Sequence, residues 1–236
     1  MTGTGRLILA RGVTMRILIV HAHPEANSFN GAMTRVAVEA LTDQGHDVTV
    51  SDLYAMDFHA PSDRSNFATV ADEGYFKPQA EETHAASHGG FAPALEAEIQ
   101  KLETCDLLIF QFPIWWFGLP AILKGWVDRV FAMGRIYGHG RAYEEGKFRG
   151  RRAMLSLTTG APADSWVAGG RHGDIDAILR PIHRGIFQFV GFDVLRPHLA
   201  CSPARVGDNE RAAMLDDWRQ RVRGLFDEAP MDVGPY

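Results

Sequence analysis

Apolar residues along this chain come in two alternating rhythms. Five runs are short and rich in branched aliphatics: RILIVHA (16–22), DVTVSDLY (47–54), DLLIFQF (106–112), RAMLSLTTG (152–160) and DVLRPHLAC (193–201). The first has no polar alternation inside it, as a strand covered on both faces requires. Between the runs, apolar residues recur at helical intervals. In FNGAMTRVAVEALTDQG the residues Met33, Val36, Ala37, Ala40 and Leu41 mark one helix face, and Gly45 ends it. PALEAEIQKLETC opens on Pro93 and PAILKGWVDRVFAM on Pro120, both suited to a helix start. IDAILRPIHRGIFQFVG is expected to kink at Pro181, and ERAAMLDDWRQRVRGLF supplies the last helix.

Strands alternating with helices imply parallel neighbours, because only a crossover connection returns the chain in the same direction. The reading is an α/β fold: a flavodoxin-like, doubly wound, five-stranded parallel sheet of order 2-1-3-4-5, with helices on both faces. No G-x-G-x-x-G follows the first strand, which weighs against a dinucleotide site of the Rossmann kind. Residues 57–92 are polar and residues 134–150 glycine-rich, so both read as long loops. Residues 1–14 are expected to be a loose, disordered extension and residues 15–236 a single domain.

Composition adds little to this picture except exclusions. A net charge of −5 gives no reason to expect nucleic acid or an anionic membrane as partner. Two cysteines, Cys105 and Cys201, form neither a disulfide framework nor a metal-ligand spacing, and both read as buried free thiols of a cytoplasmic protein.

In this fold class, ligands bind beyond the carboxyl ends of the strands. Three loops lie there. HAHPEANSFNG (21–31) brings His23, Ser28, Phe29 and Asn30 to a helix N-terminus, which attracts a phosphate or pyrophosphate. Ser28 or Asn30 as a simple helix cap is the other reading. QFPIWWFGLP (111–120) places Trp115, Trp116 and Phe117 between Pro113 and Pro120, a wall suited to a flat aromatic ligand such as an isoalloxazine, although one ring could serve the core. TTGAPADSWVAGGRHGD (158–174) ends a strand with Thr158, Thr159 and Gly160 and carries His172, a residue type able to balance charge arriving with a hydride.

SFN in the first loop, SDLYAM, FQFPIWWFGLPAILKGWVDRVF, LSLTTG and HGD followed by GF-VL-P together resemble the NAD(P)H:quinone reductase (DT-diaphorase) family, from about Met15 to Trp218. The resemblance implies a homodimer that binds FAD and passes hydride from NADH or NADPH to quinones by a ping-pong mechanism. It implies that His23, Ser28, Phe29 and Asn30 hold the pyrophosphate and ribityl region, and that Arg211 lies on the adenine side. It further implies that Pro113, Ile114, Trp116 and Phe117 line the isoalloxazine, with Thr158, Thr159 and Gly160 at its polar edge. Asp128 would reach the partner's FAD, and Tyr137 and Phe189 would close the partner's pocket.

Departures from the family pattern fall in the pocket. Trp166 replaces a tyrosine that acts beside His172, so the implied catalytic set is His172, Trp166 and Gly160. His139 replaces a second pocket tyrosine, Trp115 a glutamine, and Phe76 an insert glutamine, while Ala161 stands for a glycine. With Trp115, Trp116, Phe117, Tyr137, His139, Trp166, His172 and Phe189 around it, the pocket is reshaped. Arg184 and Gln188 occupy the positions where one branch holds zinc through histidines, so no metal is expected. Two alternatives stand beside quinone reduction: a nitro- or azo-aromatic reductase, and a flavin-binding regulatory subunit of a membrane transporter.

Overall fold

The computed structural model of the protein describes residues 13–234. The expectation for residues 1–14 falls almost wholly outside them, with Val13 and Thr14 leading into the first strand. The five apolar runs do form one parallel sheet. Its strands are β1 (Arg16–His21), β2 (Asp47–Asp52), β3 (Leu107–Pro113), β4 (Arg152–Thr159), β5 (Asp193–Val194) and β6 (His198–Cys201), in the order β2-β1-β3-β4-β5 with β6 also on β4. Every pairing is parallel.

The fifth strand was expected to be continuous and is instead broken in two. Val194 pairs with Ala153, and pairing resumes only at His198 against Ser156. Pro197 stands in the gap, and a proline cannot donate to the ladder. The two short strands thus fill one position of the sheet.

Alternate strand residues face two separate cores. Leu18, Val20, Leu108, Phe110, Phe112, Leu155 and Leu157 face a core shared with α3 (Pro93–Thr104), α4 (Ala121–Val130) and α5 (Ile175–Ile182). Ile17, Ile19, Ile109 and Met154 face the other core, under α1 (Phe29–Asp43) and α6 (Asp208–Arg223). Each core is centred on a fully buried tryptophan with its N–H satisfied. Trp126 donates to Glu98 Oε2 at 2.8 Å, and Trp218 to the Met33 carbonyl at 2.9 Å.

Segment 57–92, expected to be a loop, contains a further helix, α2 (Pro78–His88). Its inward residues are Glu81, Glu82 and Ala85, so no apolar stripe announces it. Those glutamates act as clamps. Glu81 accepts from the N–H groups of Ala71 (2.7 Å) and Asp72 (3.2 Å), and Glu82 from Met133 N–H (2.7 Å). The 134–150 segment is pinned in the same manner, by Arg135 bridging Glu96 and Glu103 and by the buried side chains of Ile136 and Phe148.

The irregularity expected at Pro181 comes two residues later. Helix α5 runs to Ile182, and residues His183–Phe187 widen into a π-helical turn before Gly191 (φ 98°) ends the segment. A proline lacks the N–H for its i−4 carbonyl, and the chain absorbs that defect in the wider turn. Cys105 is buried, which pushes its thiol up to about 12, whereas Cys201 is only half-buried, contrary to expectation.

Candidate functional site

The β1–α1 loop is built as a cradle. Ser28, at the N-cap of α1, accepts from Gly31 N–H at 3.1 Å, so the capping reading holds. The first turn of α1 carries no acidic side chain that would repel an anion. Gly31 lets the loop fold back tightly: a Cβ there would stand 2.2 Å from the Ala26 carbonyl oxygen. His23 Nδ1 lies 3.0 Å from the Glu25 amide nitrogen and 3.2 Å from the Glu25 carbonyl oxygen, which fixes the ring against the loop and leaves Nε2 facing the hollow. Burial lowers the pKa of His21 beneath the loop, where its Nδ1 meets Thr34 Oγ1 at 2.8 Å.

A buried chain of amides ties this loop to two strands. Gln111 Nε2 donates to Asn30 Oδ1 at 2.9 Å, and Asn30 Nδ2 donates to Thr158 Oγ1 at 2.9 Å. The Thr158 hydroxyl therefore keeps its own proton to offer elsewhere. Gln111, absent from the sequence-level candidates, thus holds the position of two residues that were among them.

The second loop is a hairpin turn. Ile114 N–H still bonds the Thr158 carbonyl, and Trp115 and Gly118 then bond each other in both directions at 3.2 and 3.0 Å. Trp116 (φ 51°) and Phe117 (φ 62°) form its tip, both in the left-handed region that a primed two-residue turn demands. That turn favours Asn and Gly, so two large aromatics here hold strain. The strain presents ring surface: Trp116 is 99 % exposed and Phe117 48 %.

The third loop faces this tip. Phe117 lies 5.7 Å from Trp166 and 5.8 Å from His172, and Trp166 packs on His172 at 4.7 Å between ring centroids. Trp166 is buried, and its only donor is spent on the Ala161 carbonyl at 3.3 Å. The Thr159 hydroxyl donates to that same carbonyl at 2.7 Å. The indole N–H is thus committed to a backbone carbonyl, and the ring packs against the imidazole of His172.

These loops enclose two hollows that share Ile114 and Gly160 and so form one crevice. The larger, about 850 Å3, runs from His23, Ser28 and Asn30 past Pro113 and Thr159 to Arg211 on α6. The smaller, about 480 Å3, lies between Trp116 and Phe117 on one side and Trp166 and His172 on the other. Trp115 was expected in the substrate pocket; it lines the larger hollow instead. Arg211 is held by Asp208 and by the carbonyls of Pro203 and Val206. Two arginines that the sequence left unremarked, Arg171 and Arg205, line the smaller hollow.

Asp128, Tyr137, Phe189 and His139 do not reach the crevice of their own chain. The first three line a separate hollow of about 180 Å3, where Tyr137 meets Phe189 at 5.8 Å, and His139 is exposed outside both. Asp128 also pairs with Lys124 at 2.6 Å.

The comparisons with known proteins agree with this arrangement. A family profile described as having a flavodoxin-like fold matches residues 15–222. The chain is 42% identical over 221 residues to rat NAD(P)H dehydrogenase (quinone) 1, covering 93% of this chain and 81% of that protein. It is 39% identical to human ribosyldihydronicotinamide dehydrogenase (quinone), over 92% of this chain and 94% of the other. Among solved structures, a protein from Klebsiella pneumoniae described as a quinone reductase superposes with a TM-score of 0.87. The two are 36% identical, over 92% of this chain and 87% of that one. The family profile over residues 15–222 and identity at this level over nearly the full length place the chain in the flavodoxin-like NAD(P)H:quinone reductase family.

Proposed function

We propose that the protein is an FAD-dependent oxidoreductase that takes hydride from NADH or NADPH and delivers it to quinones or similar flat electrophiles. One observation carries the reading. A single crevice, continuous at Ile114 and Gly160, joins the anion-attracting start of α1 to an exposed aromatic tip that faces His172. The residues fit a flavin: Ser28, Asn30 and His23 Nε2 stand where a pyrophosphate would lie, and Trp116 and Phe117 offer ring faces. The larger hollow continues past the loop to Ala212 and Leu215 on α6, which gives an adenosine a place and favours FAD over FMN.

When bound, the flavin supplies the two-electron chemistry, accepting hydride and releasing it. The chain's own part is to bind, orient and compensate charge. His172 stands against Phe117 and offers a ring nitrogen toward the negative charge that accompanies hydride, with Trp166 fixing its plane. Donor and acceptor would share the small hollow and alternate in it, so initial-rate plots should be parallel.

The test is direct. Purified protein should release FAD on denaturation, bleach with NADH or NADPH under anaerobic conditions, and recolour with quinone. FMN in place of FAD would remove the adenine-side assignment. No flavin uptake from excess FAD would sink the proposal, and recolouring by nitro- or azo-aromatics but not by quinone would exchange it for that alternative.

Two substitutions separate the roles of the rings. Trp166→Tyr exchanges an indole N–H committed to the Ala161 carbonyl for a phenol that can turn its donor into the hollow, which should speed flavin reduction about tenfold or more. Stopped-flow traces that change only with the acceptor would instead make Trp166 a specificity residue. Trp116→Asn relieves the left-handed strain at the turn tip, so flavin-free protein should gain about 1 kcal/mol. For a chain of this size that is a melting point roughly 2–4 °C higher. The same change removes a stacking ring, so the FAD dissociation constant should rise about tenfold. An unaltered melting point would show that the turn is unstrained.

The separate cluster of Asp128, Tyr137 and Phe189 supports a homodimer in which each copy completes the other's crevice. Sedimentation at micromolar concentration should give a dimer.

A further inference from the structure

The small hollow has an electrostatic character that quinone reduction by itself does not call for. Arg171 follows the glycine pair in the third loop, and Arg205 lies in the turn after β6; both line the hollow beside His172. Neither guanidinium has a hydrogen-bond, ion-pair or ring partner among the described residues. No carboxylate lines the same hollow among the described residues.

The arginine of the adjoining hollow is, by contrast, already committed. Arg211, in the adjoining hollow, is paired with Asp208 and two carbonyls, and Arg129 is bonded to Asn66 and the His59 carbonyl. A protein of net charge −5 thus gathers two unpaired permanent cations at the mouth of one pocket. Arg205 lines this hollow and is not among the residues lining the larger one, so its charge is placed toward the reactant side of Gly160. A guanidinium offers a fork of donors that matches a carboxylate, sulfonate or phosphate, and two forks on opposite loops suit one anionic group between them.

We propose that Arg171 and Arg205 are specificity residues for an anionic group carried by the flat reactant that stacks on Trp116 and Phe117, so that the protein prefers a charged reactant over its neutral parent. This rests on the flavin-oxidoreductase reading above. Two reactants could bring such a group, the acceptor through a carboxylate or sulfonate and the donor through the ribose phosphate of NADPH, and the arms of the test tell them apart.

The experiment uses flavin-loaded protein and two pairs of reactants: naphthoquinone with naphthoquinone sulfonate, and NADH with NADPH. Both arginines are exposed, so Arg171→Ala, Arg205→Ala and the double variant should keep their fold and flavin, as checked by circular dichroism and absorbance. The quantity read is the ratio of kcat/KM for the charged member to that for the neutral or less charged member. Exposed charge pairs are individually modest, so each single variant should lower the ratio about threefold and the double variant about tenfold. The effect should shrink as salt rises from about 0.05 M to about 0.5 M, because these charges are open to screening. Calorimetric titration of the sulfonate should show the same loss of affinity without turnover. A fall in the quinone pair assigns the anion to the acceptor, and a fall in the nicotinamide pair assigns it to the donor. Ratios that stay constant in both pairs overturn the inference while leaving the reductase reading intact. Failure of the wild type to reduce even neutral naphthoquinone would instead strike the reading it rests on.

Discussion

Alanine at Gly31 should strip the protein of its flavin. The methyl group would meet the Ala26 carbonyl oxygen at 2.2 Å and its carbon at 3.2 Å, and neither belongs to a side chain that could swing aside. Helix α1 is held by Met33, Ala37 and Leu41 in the core, so the loop has to move and the helix does not. That loop carries His23, Ser28 and Asn30, and Asn30 is in turn bonded to Gln111 and Thr158. Moving it disturbs the anion cradle and the polar floor of the crevice together. Overpacking of this kind costs about 1–3 kcal/mol. Expressed at the cofactor, that is a tenfold to hundredfold rise in the FAD dissociation constant, on the order of 1.4 kcal/mol for each factor of ten. Fluorescence titration of the flavin-free variant measures it directly. Wild-type affinity in Gly31→Ala would mean that the loop does not touch the cofactor, and the phosphate assignment would fall with it.

Mild acid should unfold the protein, and two buried imidazoles should be the main cause. His183 is fully buried with neither ring nitrogen bonded to a described residue, and burial pushes its pKa down to about 4. His198 packs on Trp218 at 4.6 Å and is also pushed down to about 4, by burial first and by Arg221 second. In the unfolded chain both return to 6.5, so from pH 6.5 down to 4 the unfolded state binds protons that the folded state refuses. Stability therefore falls as pH drops through that window. A shift of this size corresponds to about 3 kcal/mol per histidine once both pKa values are passed.

Glu82 works in the opposite sense. Burial raises it to about 7 from 4.5, so in that range the folded state holds the extra proton and stability falls as pH rises. Two histidines outweigh one glutamate below their ordinary pKa, and maximal stability should lie near about pH 6.5. His183→Leu replaces an unpaired polar ring with an apolar side chain, which is close to neutral at best pH and should flatten the acid limb. Urea melts at a series of pH values check this. An acid limb that is equally steep in His183→Leu and in a His198→Gln variant would place the cause in the carboxylates.

The sheet order and the three ligand loops were legible because each depends on local signals. Unbroken apolar runs mark strands covered on both faces, and the loops after β1, β3 and β4 inherit their place from the topology. Helix α2 was hidden because its buried face is made of Glu81, Glu82 and Ala85, whose partners lie 9 to 51 residues away. The break between β5 and β6 follows from Pro197, yet nothing local says that the strand resumes after it. At the site, residue types could be named but not their commitments. Whether the Trp166 N–H is free, whether Arg211 is already paired and whether Arg171 is not are facts of tertiary placement.

The polar underside of α2 has a consequence for how the chain opens. Tied down by carboxylates and bare of large apolar side chains, this helix gains little from the core and depends on Glu81 and Glu82 holding their partners. Its amide protons should exchange with deuterium together with those of residues 71, 72 and 133, well before those of β3 or β4. Gln79 on the same helix donates to the Tyr137 hydroxyl at 3.3 Å, so the opening unit extends to the aromatic pair of Tyr137 and Phe189. In the homodimer proposed above, breathing of α2 would set how often a neighbouring crevice is uncovered, with Glu82 protonation as its damper: below about 7 the buried carboxyl is neutral, opening it to water forfeits that favoured protonated state, and the exchange slows.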